Sequence, residues 1–207
     1  MNEIASFFLA GSLAVAPLLH AGVETGAAAP DFTLTDTTGV THSLSDFKGK
    51  YVILEWTNHQ CPFVVKHYKN GDMQAPQKAM TDDGAVWLQI LSSAEGKQGH
   101  LKPESAERLR ASQNLASTAM LLDASGELGR SYDARTTPHM YLIDPEGTLV
   151  YQGAIDSIRS TSPADVAKAE NYLKAAYKSS KAGEPIVKAT TAPYGCAIKY
   201  DSALKEY

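Results

Sequence analysis

The stretch Val52-Ile53-Leu54-Glu55-Trp56-Thr57-Asn58-His59-Gln60-Cys61-Pro62-Phe63-Val64 decides how this chain is read. Val52 to Leu54 is apolar and partly β-branched and runs on to Trp56, the pattern of a strand buried on both faces. Thr57 to Gln60 is a short polar bend. Cys61 follows, with Pro62 directly after it and a helix-compatible run beyond. Proline suits the first position of a helix, where its missing N–H is not needed and its φ is already set. The Cys61 sulfur is thereby predicted at a helix N-terminus, where free N–H groups and the helix dipole favour a thiolate. The simpler alternative is a small buried hydrophobe that happens to precede a proline.

Composition narrows the classes around that thiol. The chain has 207 residues, 43% hydrophobic and 20% charged, which suits one globular domain with short extensions. A formal net charge of −4 and no basic patch argue against nucleic acid as a partner. Cys61 and Cys196 are the two cysteines, too few for a disulfide scaffold or a cysteine-based zinc site but enough for one redox pair.

Residues 1–28 read as a signal peptide or a disordered arm. Phe7 to Leu19 is apolar and small, broken only by Ser12 and Pro17, and too short to span a bilayer as a helix. Ala21 and Ala27 to Ala29 are small residues suited to a signal peptidase, although Met1-Asn2-Glu3 lacks Lys and Arg. Cleavage would make the mature protein periplasmic or secreted, where disulfides form. No integral membrane span is expected elsewhere.

Residues 29–183 alternate strand and helix patterns. Pro30 to Asp36 reads as an edge strand, and Thr41 to Leu44 pairs back after the Thr38-Gly39 turn. Helical pieces are predicted after Cys61 to Asn70-Gly71, then from about Ala75 to Thr81, and from Pro103 to about Gln113. Ala85 to Leu91 is a second buried strand, and Ser92 to Lys102 a polar loop long enough to lie over a site. Met120 to Leu122 is a short strand, and Ser125 to Tyr132 a short helix. Met140 to Asp144 and Leu149 to Gly153 flank Pro145-Glu146-Gly147 as a hairpin. Pro163 to Ser179 is predicted as one long helix with Val166, Leu173 and Tyr177 inward. Residues 184–207 form a tail without periodicity that carries Cys196. The order describes an α/β domain with a mixed central sheet, and a thiol after a buried strand lies at the end where such sheets bind ligands. Thr137-Pro138, at a strand entry, is a candidate cis-proline.

With these elements in order, the chain resembles the thioredoxin-fold redoxins, in their peroxiredoxin-like branch with alkyl hydroperoxide reductase and thiol-specific antioxidant proteins. The resemblance spans roughly residues 29 to 200. It rests on Ala29-Pro30-Asp31-Phe32-Thr33-Leu34, Ser45-Asp46-Phe47-Lys48-Gly49-Lys50, Trp56-Thr57-Asn58-His59-Gln60-Cys61-Pro62, Arg135-Thr136-Thr137-Pro138-His139 and the ending Pro193-Tyr194-Gly195-Cys196-Ala197-Ile198-Lys199-Tyr200. It implies a thioredoxin-like fold with an N-terminal β-hairpin extension, Cys61 as the reactive thiol and Pro138 as the cis-proline facing it. Two departures stand out. Val64 occupies the second cysteine position of a Cys-x-x-Cys, and Leu54 and Asn58 stand where a peroxiredoxin has the Pro and Thr of Pro-x-x-x-Thr-x-x-Cys, with Thr57 one place off.

The implied site has Cys61, Cys196, Arg135 and His59 as catalytic candidates, and Thr57, Asn58, Thr137 and Pro138 as substrate-binding candidates. Arg135 is expected beside Cys61, where a guanidinium would hold a thiolate, or else as a solvent-facing loop residue. His59 is a candidate charge partner that lowers the thiol pKa. Cys196 either resolves an oxidised Cys61, forms a permanent bridge with it, or never meets it. Such a bridge would close a loop of about 135 residues, for which the chain-entropy model gives roughly 4–5 kcal/mol. Glu55 is a candidate proton relay or an ion-pair partner of Lys50. The resulting expectation is an exported thiol-dependent oxidoreductase acting on a peroxide or a protein disulfide, recycled by an external thiol reductant and needing no cofactor. The rivals are a copper- or zinc-binding protein using Cys61 with His59, His67 and His139, and a non-catalytic domain locked by a Cys61–Cys196 disulfide.

Overall fold

The computed structural model describes residues 22–202. The proposed leader from Phe7 to Leu19 lies outside the described residues. A β-hairpin, β1 (Thr33–Thr35) and β2 (Thr41–Ser43), precedes the central strand β3 (Val52–Trp56). Then follow α1 (Pro62–Tyr68), α2 (Gln74–Asp82), β4 (Val86–Leu91), α3 (Pro103–Ser112), β5 (Ala119–Leu122) and α4 (Glu127–Ser131). The chain ends with β6 (Thr136–Thr137), β7 (His139–Ile143), β8 (Leu149–Gly153), α5 (Tyr172–Lys181) and β9 (Cys196–Ala197).

Five strands form one mixed sheet in the order β5-β4-β3-β7-β8. The pairs β3/β4 and β4/β5 are parallel, and β3/β7 and β7/β8 antiparallel. The two-sided apolar run in β3 has a direct cause. Val52, Leu54 and Trp56 pack with Phe32, Leu88, Tyr132 and Tyr141 on one face. Ile53 points the other way, into a core shared with Val64, Trp87, Leu142 and Leu173 beneath α1, α2 and α5. Alternate side chains of one strand thus feed two cores, so both faces are largely apolar. Fully burying side chains of this size is worth about 1.5–3 kcal/mol each, which makes β3 the rigid base for the turn that follows.

The helix expected from Pro163 to Ser179 is divided. Pro163–Lys168 is a 3-10 segment, and α5 begins only at Tyr172. Residues 169–171 are drawn out because they pair with the chain after β8: Ser157 N–H donates to Glu170 O (3.0 Å) and Tyr172 N–H to Ile155 O (3.0 Å). Asn171 then caps α5 by accepting from the Lys174 N–H at 2.9 Å. Leu173 and Tyr177 are buried as expected, whereas Val166 is only half-buried.

The C-terminal tail packs on the same body. Thr191 N–H donates to Gln152 O (3.0 Å), Ile198 N–H to Arg135 O (3.0 Å) and Tyr200 Oη to Ala134 O (2.7 Å). Between these anchors, β9 pairs antiparallel with β6, setting Cys196 opposite Thr137 and Ala197 opposite Thr136.

Candidate active site

The site starts where β3 ends. Thr57 N–H extends the ladder by donating to Ile90 O (3.1 Å). Asn58 then turns the chain: its Oδ1 accepts from the Gln60 N–H (2.9 Å) and its carbonyl from the Cys61 N–H (2.9 Å). Cys61 is the N-cap of α1 and Pro62 its first residue, as the Cys-Pro pair predicts. The polar loop 92–102 braces this turn, with Gly99 N–H donating to Gln60 Oε1 (3.2 Å). Thr57 and Asn58 are both buried, and their contacts make them supports of the thiol turn.

Cys61 is fully buried, at 0% exposure, because the tail lies over it. Its Sγ is 3.1 Å from the Thr137 carbonyl oxygen and 2.8 Å from Cys196 Sγ. Both cysteines are free thiols, Cys61 buried and Cys196 half-buried. The Thr137–Pro138 peptide bond is cis. The tail can approach this closely because residue 195 is glycine: φ is +139°, and a Cβ there would stand 2.0 Å from Thr137 O.

The two thiols titrate differently. Burial works against a thiolate at Cys61, but the Cys196 thiol, the Thr137 side chain and the Val64 N–H at the start of α1 favour it, and the net displacement is downward. Burial and the neighbouring Cys61 sulfur push Cys196 up to about 11. The two sulfurs titrate as a pair, and the direction of both shifts favours the thiolate at Cys61.

Two expected partners are elsewhere. The Arg135 guanidinium is 71% exposed and binds Asp133 at 2.5 Å; only the Arg135 backbone supports the site, through Ile198. An acidic residue two positions away captures it before the buried sulfur can. His59 is half-buried, and burial lowers its pKa, which works against a cationic imidazole beside the thiolate. Its Nδ1 is buried without a hydrogen-bond partner among the described residues. His59 lines a separate cleft of about 580 Å³ with Thr57, Tyr68, Gln74 and Gln89.

The imidazoles do not converge on the thiol. His67 Nε2 faces Asp156 at 3.6 Å, and His139 Nδ1 faces Tyr141 Oη at 3.2 Å. Among the described residues no three His, Cys, Asp or Glu side chains are grouped to hold a metal ion. Glu55 does not pair with Lys50. It is fully buried and accepts from Tyr68 Oη, Trp87 Nε1 (2.8 Å) and Gln77 Nε2 (3.2 Å), and burial raises its pKa.

A second buried cluster has no counterpart in the sequence reading. Lys66 on α1 donates to Ile158 O (2.9 Å), Tyr194 Oη (3.1 Å) and Asp156 Oδ2 (3.4 Å). These partners are 90 to 128 residues away along the chain, so no local pattern announces them. The one sequence signal was a lysine inside a helix whose neighbours Val64, His67 and Tyr68 are all buried.

A mixed five-stranded sheet, a thiol at the helix start after the central strand, and a cis-proline facing it define a thioredoxin-fold redoxin. Residues 25–152 match the model of the AhpC/TSA family, and the chain belongs to that family. The thioredoxin-like protein YneN of Bacillus subtilis (strain 168) is 30% identical over 128 residues, 62% of this chain and 70% of YneN. The thiol-disulfide oxidoreductase ResA of the same organism is 25% identical over 135 residues, 62% of this chain and 66% of ResA. A hypothetical protein from Sinorhizobium meliloti 1021 has the same fold, with a TM-score of 0.74 at 24% identity over 88% of this chain and 97% of that one. No helix among the described residues is long and apolar enough to cross a membrane.

Proposed function

We propose that the protein is a thiol-disulfide oxidoreductase whose redox couple is Cys61 with Cys196. The observation that carries this reading is the 2.8 Å approach of the two sulfurs at the start of α1. A disulfide bond needs about 2.05 Å between sulfurs, so closure requires a shift of less than about 1 Å. With the tail lifted, the Cys61 thiolate attacks a sulfur of a partner's disulfide and forms a mixed disulfide while the partner's other sulfur leaves as a thiolate. Cys196 loses its proton and attacks Cys61 Sγ, releasing the second partner thiolate. The partner gains two electrons and two protons, the protein becomes Cys61–Cys196 disulfide, and an external dithiol reverses the change.

A disulfide suits this site better than a peroxide as oxidant. Asn58 occupies the position of the peroxidase threonine and is spent on the turn, and the Arg135 guanidinium is bound to Asp133. Export belongs to the same reading and rests on the apolar segment Phe7 to Leu19.

The test is equilibration of wild type, Cys61→Ser and Cys196→Ser with reduced and oxidised glutathione, followed by peptide mass spectrometry. The expected product is a Cys61–Cys196 disulfide in wild type, with Cys61 glutathionylated when Cys196 is replaced. Oxidised wild type carrying no Cys61–Cys196 bond would overturn the reading.

A further inference from the structure

Lys66, Asp156 and Tyr194 form a polar group that the thiol chemistry does not use directly. The side chains of Lys66 and Asp156 are 0% and 2% exposed. A buried ion pair is weak support for a fold, because desolvating the charges offsets most of their attraction unless every lone pair and proton is satisfied. Here the tail completes that satisfaction through Tyr194. The ammonium of Lys66 has three donors, and its three acceptors are Ile158 O, Asp156 Oδ2 and Tyr194 Oη. Asp156 Oδ1 accepts from the Ile158 N–H (3.0 Å) and from Tyr194 Oη. Without Tyr194 the buried cation lacks an acceptor and the buried carboxylate lacks a donor.

Tyr194 is seated by its ring as well. It is 5% exposed, meets Phe63 edge-on at 5.8 Å between centroids, and has its ring centroid 5.1 Å from the Lys66 ammonium. It stands two residues before Cys196. Lys66 and Phe63 belong to α1, the helix whose N-cap is Cys61. One helix therefore carries both the nucleophile and the seat for the segment that covers it.

We propose that Tyr194 is a positioning residue whose hydroxyl, held between Lys66 and Asp156, sets how firmly Cys196 is held over Cys61. The latch does two things at once. It raises the effective concentration of Cys196 at Cys61, and it keeps Cys61 closed to outside reagents until the tail lifts. The inference rests on the proposed Cys61–Cys196 couple and adds its control element.

Tyr194→Phe keeps the ring contacts and removes only the hydroxyl. Tyr132→Phe is the control, since Tyr132 Oη donates to Pro30 O (2.7 Å), a partly buried hydroxyl bond that involves neither Lys66, Asp156 nor the tail. Asp156→Asn, which leaves an acceptor for Lys66, is a second variant. For each protein, folding is confirmed by circular dichroism. The equilibrium constant for Cys61–Cys196 disulfide formation is then measured against glutathione, and the alkylation rate of reduced Cys61 with iodoacetamide. Tyr194→Phe is expected to lower the ratio of the disulfide equilibrium constant to the Cys61 alkylation rate about tenfold, with Asp156→Asn shifting that ratio the same way and Tyr132→Phe leaving it unchanged. Values for Tyr194→Phe within twofold of wild type would overturn the latch, even where wild type forms the disulfide. A wild type that forms no such disulfide removes the couple instead, and the alkylation rates alone then decide the latch.

Discussion

Gly195→Ala is the smallest change that separates the two sulfurs. A Cβ at residue 195 would lie 2.0 Å from Thr137 O, 2.7 Å from Thr137 C and 3.3 Å from Pro138 N. These are backbone atoms of the β6 turn and cannot rotate away as a side chain would. Ordinary contact needs about 3.4 Å, so the tail must retreat by more than about 1 Å, and an L-residue at a φ of +139° is strained besides. Retreat of that size carries the sulfurs from 2.8 Å to about 4 Å, out of bonding range. Overpacking costs about 1–3 kcal/mol; a central value on the order of 2 kcal/mol weakens tail docking by about thirtyfold. The assay is the rate at which reduced protein reacts with a chromogenic aromatic disulfide, with Cys196→Ser as background so that Cys61 is followed alone. Buried Cys61 is expected to react slowly in Cys196→Ser and about thirtyfold faster once Gly195→Ala is added, with circular dichroism unchanged. An unchanged rate in a folded double variant would show that Gly195 does not set the approach of the tail.

Two further outcomes concern pH. Glu55 has its pKa raised by burial, so the fold favours its protonated form. The associated stability is present below the unfolded carboxyl pKa of about 4.5 and is lost as pH rises through the folded value. Glu55→Gln is expected to gain thermal stability relative to wild type as pH rises from 4 to 9, and a constant offset in melting temperature across that range would refute the assignment. His139 and His67 are buried and held neutral, their pKa values lowered by desolvation to about 3 and about 4, the latter also by the charge of Lys66. Their contribution is present above pH 6.5 and lost as pH falls through the folded values, on the order of 3 kcal/mol from each by pH 4. Urea unfolding at pH 7, 5.5 and 4 measures this, and His139→Phe, if it folds, is expected to show a shallower decline than wild type.

The readable parts of this protein were those fixed by short-range rules. Val52 to Trp56 announced a strand buried on both faces because each alternate residue meets a different core. Cys61-Pro62 announced a helix start because proline is tolerated there and the preceding residue is extended. Thr137-Pro138 announced a cis bond at a strand entry, and the bond is cis. What escaped reading was decided at a distance. The helix predicted over Pro163 to Ser179 carries no internal breaker; it is opened by backbone pairing with Ile155 to Ser157. For Arg135 the sequence leaves a place at the sulfur and a solvent-facing one both open, and Asp133, by taking its guanidinium in an exposed ion pair, decides for the second. Tyr194, Lys66 and Asp156 come from three separate segments, and no spacing relates them. Glu55 stood out as the one charge in an apolar strand, but its partners Tyr68, Gln77 and Trp87 come from two helices and a neighbouring strand.

The pairing of β9 with β6 has a further consequence for selectivity. The edge residues Thr136 and Thr137 offer backbone groups to any extended chain, and the protein's own Cys196 and Ala197 already occupy them. An incoming strand therefore competes with a tethered rival whose effective concentration is on the order of millimolar. Under the proposed function, discrimination at such an edge would be exercised by eviction of the tail rather than by the fit of a pocket.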